Sequence, residues 1–185
     1  MSIVWAVYFG TASGGLVTMA IYAPKQCVEI VKAWEGFAAL PYLCPAGYWT
    51  VGYGHVCRDN QGRMLKSNDA PPEMKELTIE DASELLRNDL ESYVSEVVAL
   101  CGGGLNMNQL SALGSFAYNV GTGALRASTL RRKVLAGEHG EAAEQFKRWV
   151  FAGGMKLKGL VRRRRDESAL YLRPCDDFMT LIVEE

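Results

Sequence analysis

The sequence is poor in the residues that build metal sites and phosphate-binding loops. It has two histidines, and its five cysteines include no Cys-x-x-Cys pair. Because a structural zinc ion needs several such ligands at short spacing, we expect neither a metal nor another cofactor. An internal repeat, a low-complexity tract and a glycine-rich phosphate loop are also absent from the sequence.

Charge is missing from the start of the chain. No Asp, Glu, Lys or Arg occurs from Ser2 to Pro24, and an apolar run of this length can span a bilayer. Glycine, serine and threonine dilute its middle, which makes it a weak span. A cleaved signal peptide, a permanent anchor and a buried N-terminal helix all compete as interpretations. Pro24 directly after Ala23 argues against cleavage there, and no Lys or Arg precedes the span, contrary to the usual charge bias.

The remaining composition is that of an ordinary globular domain. The 185 residues are 49% hydrophobic and 22% charged, with a formal net charge of −1, and they are numerous enough for one sizeable core. From 101 to 172, twelve basic residues outnumber five acidic ones, whereas from 58 to 100 ten acidic residues outnumber five basic ones. The excess of basic residues in the second half of the chain is compatible with binding to any polyanion. We predict that Arg162–Arg165 is solvated or ion-paired rather than a nucleic-acid patch, because four consecutive helical residues point in different directions.

Hydrophobic spacing predicts an α+β fold that is mostly α. Cys27–Gly36 has helical spacing, and Phe37–His55 alternates and carries glycines like a hairpin. Residues 56–75 are polar and turn-rich, which predicts a loop or a short hairpin ribbon. The strongest helix signal begins at the capping residue Thr78 and continues to Gly102. Further helices are predicted over four segments: Asn106–Asn119, Ala127–Ala136, Glu141–Phe151 and Leu157–Leu172.

One carboxyl group, one thiol and one hydroxyl stand at fixed offsets around the predicted hairpin. Glu35 is followed after eight residues by Cys44 and after five more by Thr50, and Gly-Tyr-Gly-His occupies 52–55. We expect Glu35 on the last turn of a helix, facing the hairpin that supplies Cys44 and Thr50. A carboxylic acid held across a gap from a second polar group is the geometry of glycoside hydrolysis.

This motif resembles the catalytic segment of phage-type lysozymes, the endolysins of glycoside hydrolase family 24. Those enzymes carry Glu, eight residues, Asp or Cys, five residues, Thr, and then Gly-x-Gly-His. The resemblance extends over 28–172 through three further segments: Ser115–Gly121, Ser128–Leu130 and Gly159–Glu167. It implies a lysozyme-like two-lobed fold with a small β-hairpin lobe and a helical C-terminal lobe, preceded by the N-terminal hydrophobic segment.

The resemblance also implies an activity and a site. The activity is hydrolysis of the β-1,4 bond between N-acetylmuramic acid and N-acetylglucosamine in bacterial peptidoglycan, which lyses the host cell. The implied catalytic residues are Glu35, Cys44 and Thr50, and the implied brace between the lobes is His55 with Asp89. The implied substrate-binding residues are Tyr53, Gly54, Tyr118, Asn119 and Thr129. We expect a monomer with no nucleic acid partner. The rival interpretation is a wall-binding or regulatory module on an inactive lysozyme scaffold, because the second carboxylate is missing.

Each catalytic position carries a chemical expectation. Glu35 has to be protonated when it meets the glycosidic oxygen, and the flanking Trp34 and Phe37 would help by desolvating it. Cys44 stands where many relatives have aspartate. As a thiolate it would stabilise positive charge on the sugar, orient water or attack the anomeric carbon, whereas a neutral thiol would do little of this. The Thr50 hydroxyl would hold an attacking water.

The resemblance divides the chain into a segment at 1–24 and a muramidase domain at 25–185. A subset of these endolysins has a signal-anchor-release segment, which enters the membrane and later leaves it intact. That subtype implies attachment to the periplasmic face of the host inner membrane through residues 2–23, followed by release to the periplasm. The glycine, serine and threonine content of the segment favours it because a low apolar area makes extraction easier.

Cysteine chemistry depends on that location. Disulfides are expected in a periplasm and thiols in a cytosol. If Cys44 stays free, the other four cysteines allow three pairings, and the sequence does not choose one. Some relatives lock the catalytic cysteine with a cysteine inside the anchor segment. This segment has none, and Cys27 is the nearest substitute.

Overall fold

The computed structural model describes residues 22–175. These residues form seven helices, one three-stranded sheet and one two-stranded sheet. The helices are α1 Lys25–Trp34, α2 Ile79–Cys101, α3 Met107–Val120, α4 Thr122–Ala127, α5 Thr129–Leu135, α6 His139–Phe146 and α7 Lys158–Leu172. The strands are β1 Ala38–Leu43, β2 Trp49–Gly52, β3 His55–Val56, β4 Phe151–Ala152 and β5 Met155–Lys156. The predicted fold class is confirmed: the molecule is mostly helical with a small β lobe.

The first sheet builds the β lobe from the stretch that sequence patterning assigned to a hairpin. Its strands run antiparallel in the order β1-β2-β3. Tyr42 pairs with Thr50 across the first two strands, and Val51 pairs with His55 across the next two. This pairing places the turn that contains Cys44 at the end of β1 and β2, close to Thr50 of β2. It leaves β1 as an edge strand.

Helix α2 is the long connection between the lobes, as its capping signal predicts. The Thr78 hydroxyl accepts a hydrogen bond from the Asp81 backbone N–H at 3.0 Å, which satisfies one of the donors left free at a helix start. Its 23 residues end at Cys101, and the capping residue Gly102 has a φ of 80°, which suits glycine.

Helix α3 is the centre of the helical lobe, with α1, α2 and α7 packed around it. Its side chains are buried from Met107 to Ala117, and Leu113 and Phe116 are fully enclosed. An Asn106–Gln109 capping box begins the helix. Because neighbours cover α3 on several sides, polar groups along it need partners inside the protein.

Three predicted boundaries were wrong. Helix α1 ends at Trp34, so Glu35 is its capping residue in extended backbone (φ −91°, ψ 135°) rather than a member of its last turn. The predicted helix Glu141–Phe151 stops at Phe146, and residues 151–156 form the β4–β5 hairpin. Gly153 and Gly154 have φ of 56° and 78°, which suits the two-residue hairpin turn that favours paired glycines.

The third difference lies in the helix predicted over Ala127–Ala136. Ser128 has extended backbone at ψ 154°, and its side chain accepts a hydrogen bond from the Arg131 N–H. Serine in that role starts a new helix. Two short helices, α4 and α5, therefore replace the single predicted one.

Most of the predicted anchor segment, residues 2–23, lies outside the described residues. Ala23, at its end, is only 4% exposed and packs into the core of the helical lobe. None of the helices within 22–175 combines the length and the apolar run that a bilayer crossing requires.

Candidate active site

A cleft of about 510 Å³ lies beside α2, between the β lobe and the helical lobe. Six of the ten predicted site residues line it: Glu35, Gly54, His55, Asp89, Tyr118 and Asn119. The rest of the wall is formed by residues for which no role was predicted from the sequence: Val56, Arg58, Met64, Ser92, Tyr93, Glu96 and Thr122. The lining comes from four separate parts of the chain, so the cleft exists only in the folded protein.

Glu35 is held at the edge of this cleft by an arginine. The Arg163 Nη1 donates to Glu35 Oε1 at 2.5 Å, across 128 residues of sequence. The Arg163 side chain is 4% exposed and that of Glu35 is 27% exposed. The expected apolar enclosure by Trp34 and Phe37 is therefore incomplete. The Phe37 ring instead packs against Tyr53, with 5.5 Å between the ring centroids.

A buried charge cluster fixes Arg163 in turn. Its Nε donates to Glu167 Oε1 at 3.1 Å, and the Ser115 hydroxyl donates to the same oxygen at 2.7 Å. Arg164 donates to the other Glu167 oxygen and to Asn119 Oδ1. Removing one partner from such a buried pair costs about 3–5 kcal/mol because a charge is left uncompensated. The cluster therefore holds the Glu35 partner in one position, and the interpretation of Arg162–Arg165 as ion-paired or solvated is confirmed.

Cys44 sits in the turn between β1 and β2, where backbone amide groups surround its sulfur. Desolvation opposes ionisation of the thiol. Hydrogen bonds from the backbone of Tyr48, Ala46 and Gly47 and from the Thr50 side chain outweigh that effect, and together they lower the pKa of Cys44 from its ordinary value. Hydrogen bonds to a charged group favour its charged form. The thiolate that the chemistry needs is thus favoured by the turn itself.

Thr50 and Tyr42 stand opposite each other beside this thiol. The Thr50 hydroxyl donates to the Tyr48 carbonyl at 3.1 Å, and the residue is 4% exposed. The hydroxyl has one proton, so a bond to the Cys44 sulfur would replace the bond to the carbonyl. Desolvation, followed by the charges of Cys44 and Glu35, raises the pKa of the Tyr42 phenol. The charges of Glu35 and Cys44 therefore both act on the Tyr42 phenol.

Tyr118 connects the helical lobe to the glycine motif of the β lobe. Its hydroxyl donates to the Tyr53 carbonyl at 3.0 Å. A Cβ on Gly54 would lie 3.2 Å from this hydroxyl, at a φ of 95° that disfavours other residues. Burial raises the pKa of Tyr118, and the charges of Asp89 and Glu35 add to the effect. Tyr118 is therefore a hydrogen-bond donor rather than a base.

The remaining predicted residues occupy distinct surroundings. His55 Nδ1 lies 2.9 Å from Asp89 Oδ2, which joins β3 to α2 across the cleft wall. Cys44, Thr50, Tyr53 and Thr129 do not line the cleft. The Tyr53 side chain is buried, and Thr129 lies in a separate pocket of about 390 Å³, where its hydroxyl accepts from Arg132.

Comparison with known proteins decides the family. Residues 32–167, which include the cleft residues and the charge cluster, match the family described as phage lysozyme. The chain belongs to the phage lysozyme family. The match spans both lobes, from the end of α1 to the buried Glu167 of α7.

Relatives of this phage lysozyme chain are endolysins and a muramidase domain. The endolysin of Bacillus phage B103 is 36% identical over 147 residues, 78% of this chain and 52% of the relative, so the chain spans about half of that protein. The SAR-endolysin of Escherichia phage Mu is 35% identical over 144 residues, 77% of each chain. The solved muramidase domain of SpmX from Asticaccaulis excentricus is 33% identical with a TM-score of 0.69, over 82% of this chain and 98% of that one.

Sequence reasoning about this phage lysozyme missed Arg163, Glu167 and Tyr42. The only local signal for the first two was their spacing of four residues on a basic helix, and the Arg162–Arg165 run did not show which arginine turned inward. Nothing in the sequence placed Tyr42 opposite Thr50. Within 22–175, no group of three or more His, Cys, Asp or Glu is arranged to hold a metal ion.

The cysteines of this phage lysozyme differ in reactivity. No disulfide forms within 22–175, where Cys27, Cys44, Cys57 and Cys101 carry free thiols. Burial raises the pKa of Cys27 to about 12, the charge of Glu167 adds to the effect, and that of Arg163 opposes it. A Cβ on Gly114 would lie 2.8 Å from the Cys27 sulfur, so α1 and α3 are tightly packed there. Cys27 would have to leave the core before it could pair with Cys44.

Proposed function

We propose that the chain is an endolysin that hydrolyses the β-1,4 bond between N-acetylmuramic acid and N-acetylglucosamine in bacterial peptidoglycan. One observation carries this proposal: Glu35 lines the cleft, and a buried arginine holds one of its carboxylate oxygens. The Cys44 thiol is close enough that its charge, like that of Glu35, adds to desolvation in raising the pKa of the Tyr42 phenol. An acid in a cleft and a second ionisable group in the adjoining turn supply the two kinds of group that glycoside hydrolysis uses. Membership in the phage lysozyme family supports the same chemistry.

The reaction needs one proton donor and one group that handles the anomeric carbon. Glu35 gives its proton to the glycosidic oxygen as the bond to the anomeric carbon breaks. Arg163 holds Oε1 and so fixes the orientation of the carboxyl group. The Cys44 thiolate then takes a proton from an attacking water, or it bonds to the anomeric carbon and water later displaces it. In the first route Cys44 gains a proton and Glu35 has lost one, and exchange with solvent restores both groups before the next turnover. In the second route Glu35 takes a proton from the displacing water, and the Cys44 thiolate is released as the leaving group.

Thr50 suits the water-activating route. Because its hydroxyl proton is engaged by the Tyr48 carbonyl, its oxygen presents lone pairs that accept from a water. A water that donates to both Thr50 and the Cys44 thiolate directs its own lone pair elsewhere, towards a sugar in the cleft. Tyr118 and Asn119 line the same cleft and would contact the sugar chain.

A wall-binding or regulatory module is the alternative, because Cys44 replaces the second carboxylate. Glu35 and its arginine are intact, which favours the enzyme. The test is a turbidity assay on outer-membrane-permeabilised cells, with reducing sugar ends measured in parallel. We expect falling turbidity together with new reducing ends at catalytic amounts of protein. Stoichiometric wall binding without new reducing ends would establish the alternative.

We also propose that residues 2–23 hold the enzyme on the periplasmic face of the host inner membrane until it is released. The charge-free segment and the relatives named SAR-endolysin support this proposal. Ala23 is buried in the helical lobe only two residues before α1 begins. A segment held in the bilayer would pull this residue out of the core and, through the ten residues of α1, disturb Glu35.

Replacing Gly14 and Gly15 with leucine should prevent that release. Two leucines make the segment more apolar and strengthen its membrane preference by about 1 kcal/mol or more on insertion scales. In fractionation before and after addition of an uncoupler, the unmodified chain should move from the membrane pellet to the supernatant at full length. The double-leucine variant should remain in the pellet without lysing cells. An unmodified chain found only in the cytosol, or only shortened, would refute the proposal.

A further inference from the structure

The β4–β5 hairpin carries two highly exposed apolar side chains. Among the large hydrophobic side chains of residues 22–175, Met155 and Phe151 are the two most exposed, at 66% and 62%. Every residue from 151 to 159 is exposed, and a Cβ on Gly153 or Gly154 would meet nothing within 4 Å. The hairpin therefore projects from the domain, and no neighbour among residues 22–175 covers its tip.

The two apolar side chains lie on opposite faces of the hairpin. Phe151 pairs with Lys156, and Ala152 pairs with Met155. Because successive residues of a strand point to opposite faces, the face that carries Phe151 is not the face that carries Met155. A flat protein or glycan surface would cover one of these faces. A surrounding apolar phase would cover both.

Basic side chains surround the base of the hairpin. Lys156, Lys158 and Arg162 are exposed, and none of them forms an ion pair within the described part of the chain. No acidic residue occurs from 147 to 165. The flanking acids Glu144 and Asp166 already pair with Lys147 and Arg165. A local positive field thus surrounds an apolar tip, although the whole chain has a net charge of −1.

We propose that the β4–β5 hairpin docks the domain on an anionic phospholipid surface. Two paired positions and a two-residue turn project by roughly 10 Å at strand spacing, which matches the roughly 5–10 Å depth at which apolar side chains bury in the interface. Phe151 and Met155 enter the boundary between headgroups and acyl chains, and the three cations remain with the lipid phosphates. Peptidoglycan offers carboxylates for the cations but no apolar phase for both faces. This contact is separate from residues 2–23 and from the catalytic cleft.

Methionine oxidation tests the contact on the full chain. Sulfoxide formation by a water-soluble oxidant follows exposure of the thioether, and mass spectrometry reads Met155, Met74 and Met64 separately. Met74 and Met64 are 56% and 41% exposed and lie outside the hairpin, so they serve as controls within one molecule. With phosphatidylglycerol vesicles we expect oxidation of Met155 to slow by about fivefold or more relative to both controls. Phosphatidylcholine vesicles, or high salt, should remove this difference.

Variants separate hairpin docking from attachment through the N-terminal segment. Phe151→Ser, or Lys156→Glu with Lys158→Glu, should return Met155 to the oxidation rate of the controls. The matched substitution Leu135→Ser, at an exposed leucine of α5 (52% exposed), should leave the protection unchanged. Equal rates at Met155 and Met74 on phosphatidylglycerol would overturn the proposal. So would protection of Met155 by soluble peptidoglycan fragments but not by vesicles.

Discussion

Glu35→Gln should lower the rate of wall hydrolysis by about 10³-fold, the size expected when a general acid is lost. The amide has the shape of the carboxylic acid but no acidic proton for the leaving oxygen. Its oxygen can still accept from Arg163 Nη1, so the position of the side chain is retained. Initial rates from turbidity loss and from reducing-end release should fall together, while binding to purified wall is unchanged.

Glu29→Gln is the matched control for this substitution. Glu29 lies on α1, the same helix, and is exposed. The Glu29→Gln variant should keep full activity and the unfolding temperature of the unmodified chain. Glu35→Gln removes a charge that pairs with the buried Arg163, so the rates are compared at a temperature at which both variants are folded. Retention of more than a few per cent of activity by Glu35→Gln would remove Glu35 from the role of acid.

Cys44→Ser should lose most of the activity, by about 10²-fold or more, whereas Cys44→Asp should keep a useful fraction of it. A serine hydroxyl is hardly ionised near neutral pH, so it neither takes a proton nor stabilises positive charge as a thiolate does. An aspartate is ionised throughout that range. The surrounding amide groups, which lower the pKa of Cys44, would also receive a carboxylate. If serine works as well as cysteine, the thiol has no chemical role.

The pH profile gives Cys44 a second, independent test. A thiol is neutral below its pKa and charged above it, so ionisation of Cys44 should give kcat/KM a limb that rises with pH, while loss of the Glu35 proton gives a limb that falls. Since that pKa is lowered, the rise should lie below the ordinary cysteine value of about 8.5. In Cys44→Asp the rise should move to lower pH by about 2 units or more, because the aspartate pKa is about 3.9. Cys57→Ser, which changes a buried thiol whose pKa is raised, should leave the profile in place.

Local signals in the sequence were sufficient to predict the helices and strands that depend on residues close together in the chain. Thr78 with Asp81 caps α2, and the apolar spacing after it predicts a helix that the structure confirms through Cys101. The alternating stretch before His55 likewise forms the β lobe. The same rules failed after Phe146, where a hairpin replaced a predicted helix. The paired glycines at 153–154, which separate two predicted helices, also favour a tight hairpin turn.

By itself, the sequence determined the fold class and the family resemblance, and it predicted Glu35 as the acid and Cys44 as the thiol, because these depend on residue types at short, fixed offsets. Only the tertiary structure decided which groups meet them. It placed Arg163 on Glu35, Tyr42 opposite Thr50, and Thr129 in a pocket apart from the cleft. The Glu35 partner comes from 128 residues away, when α7 packs on α3 and buries one face of a four-arginine run. The sequence shows all four arginines alike, and burial against α3 is what distinguishes them.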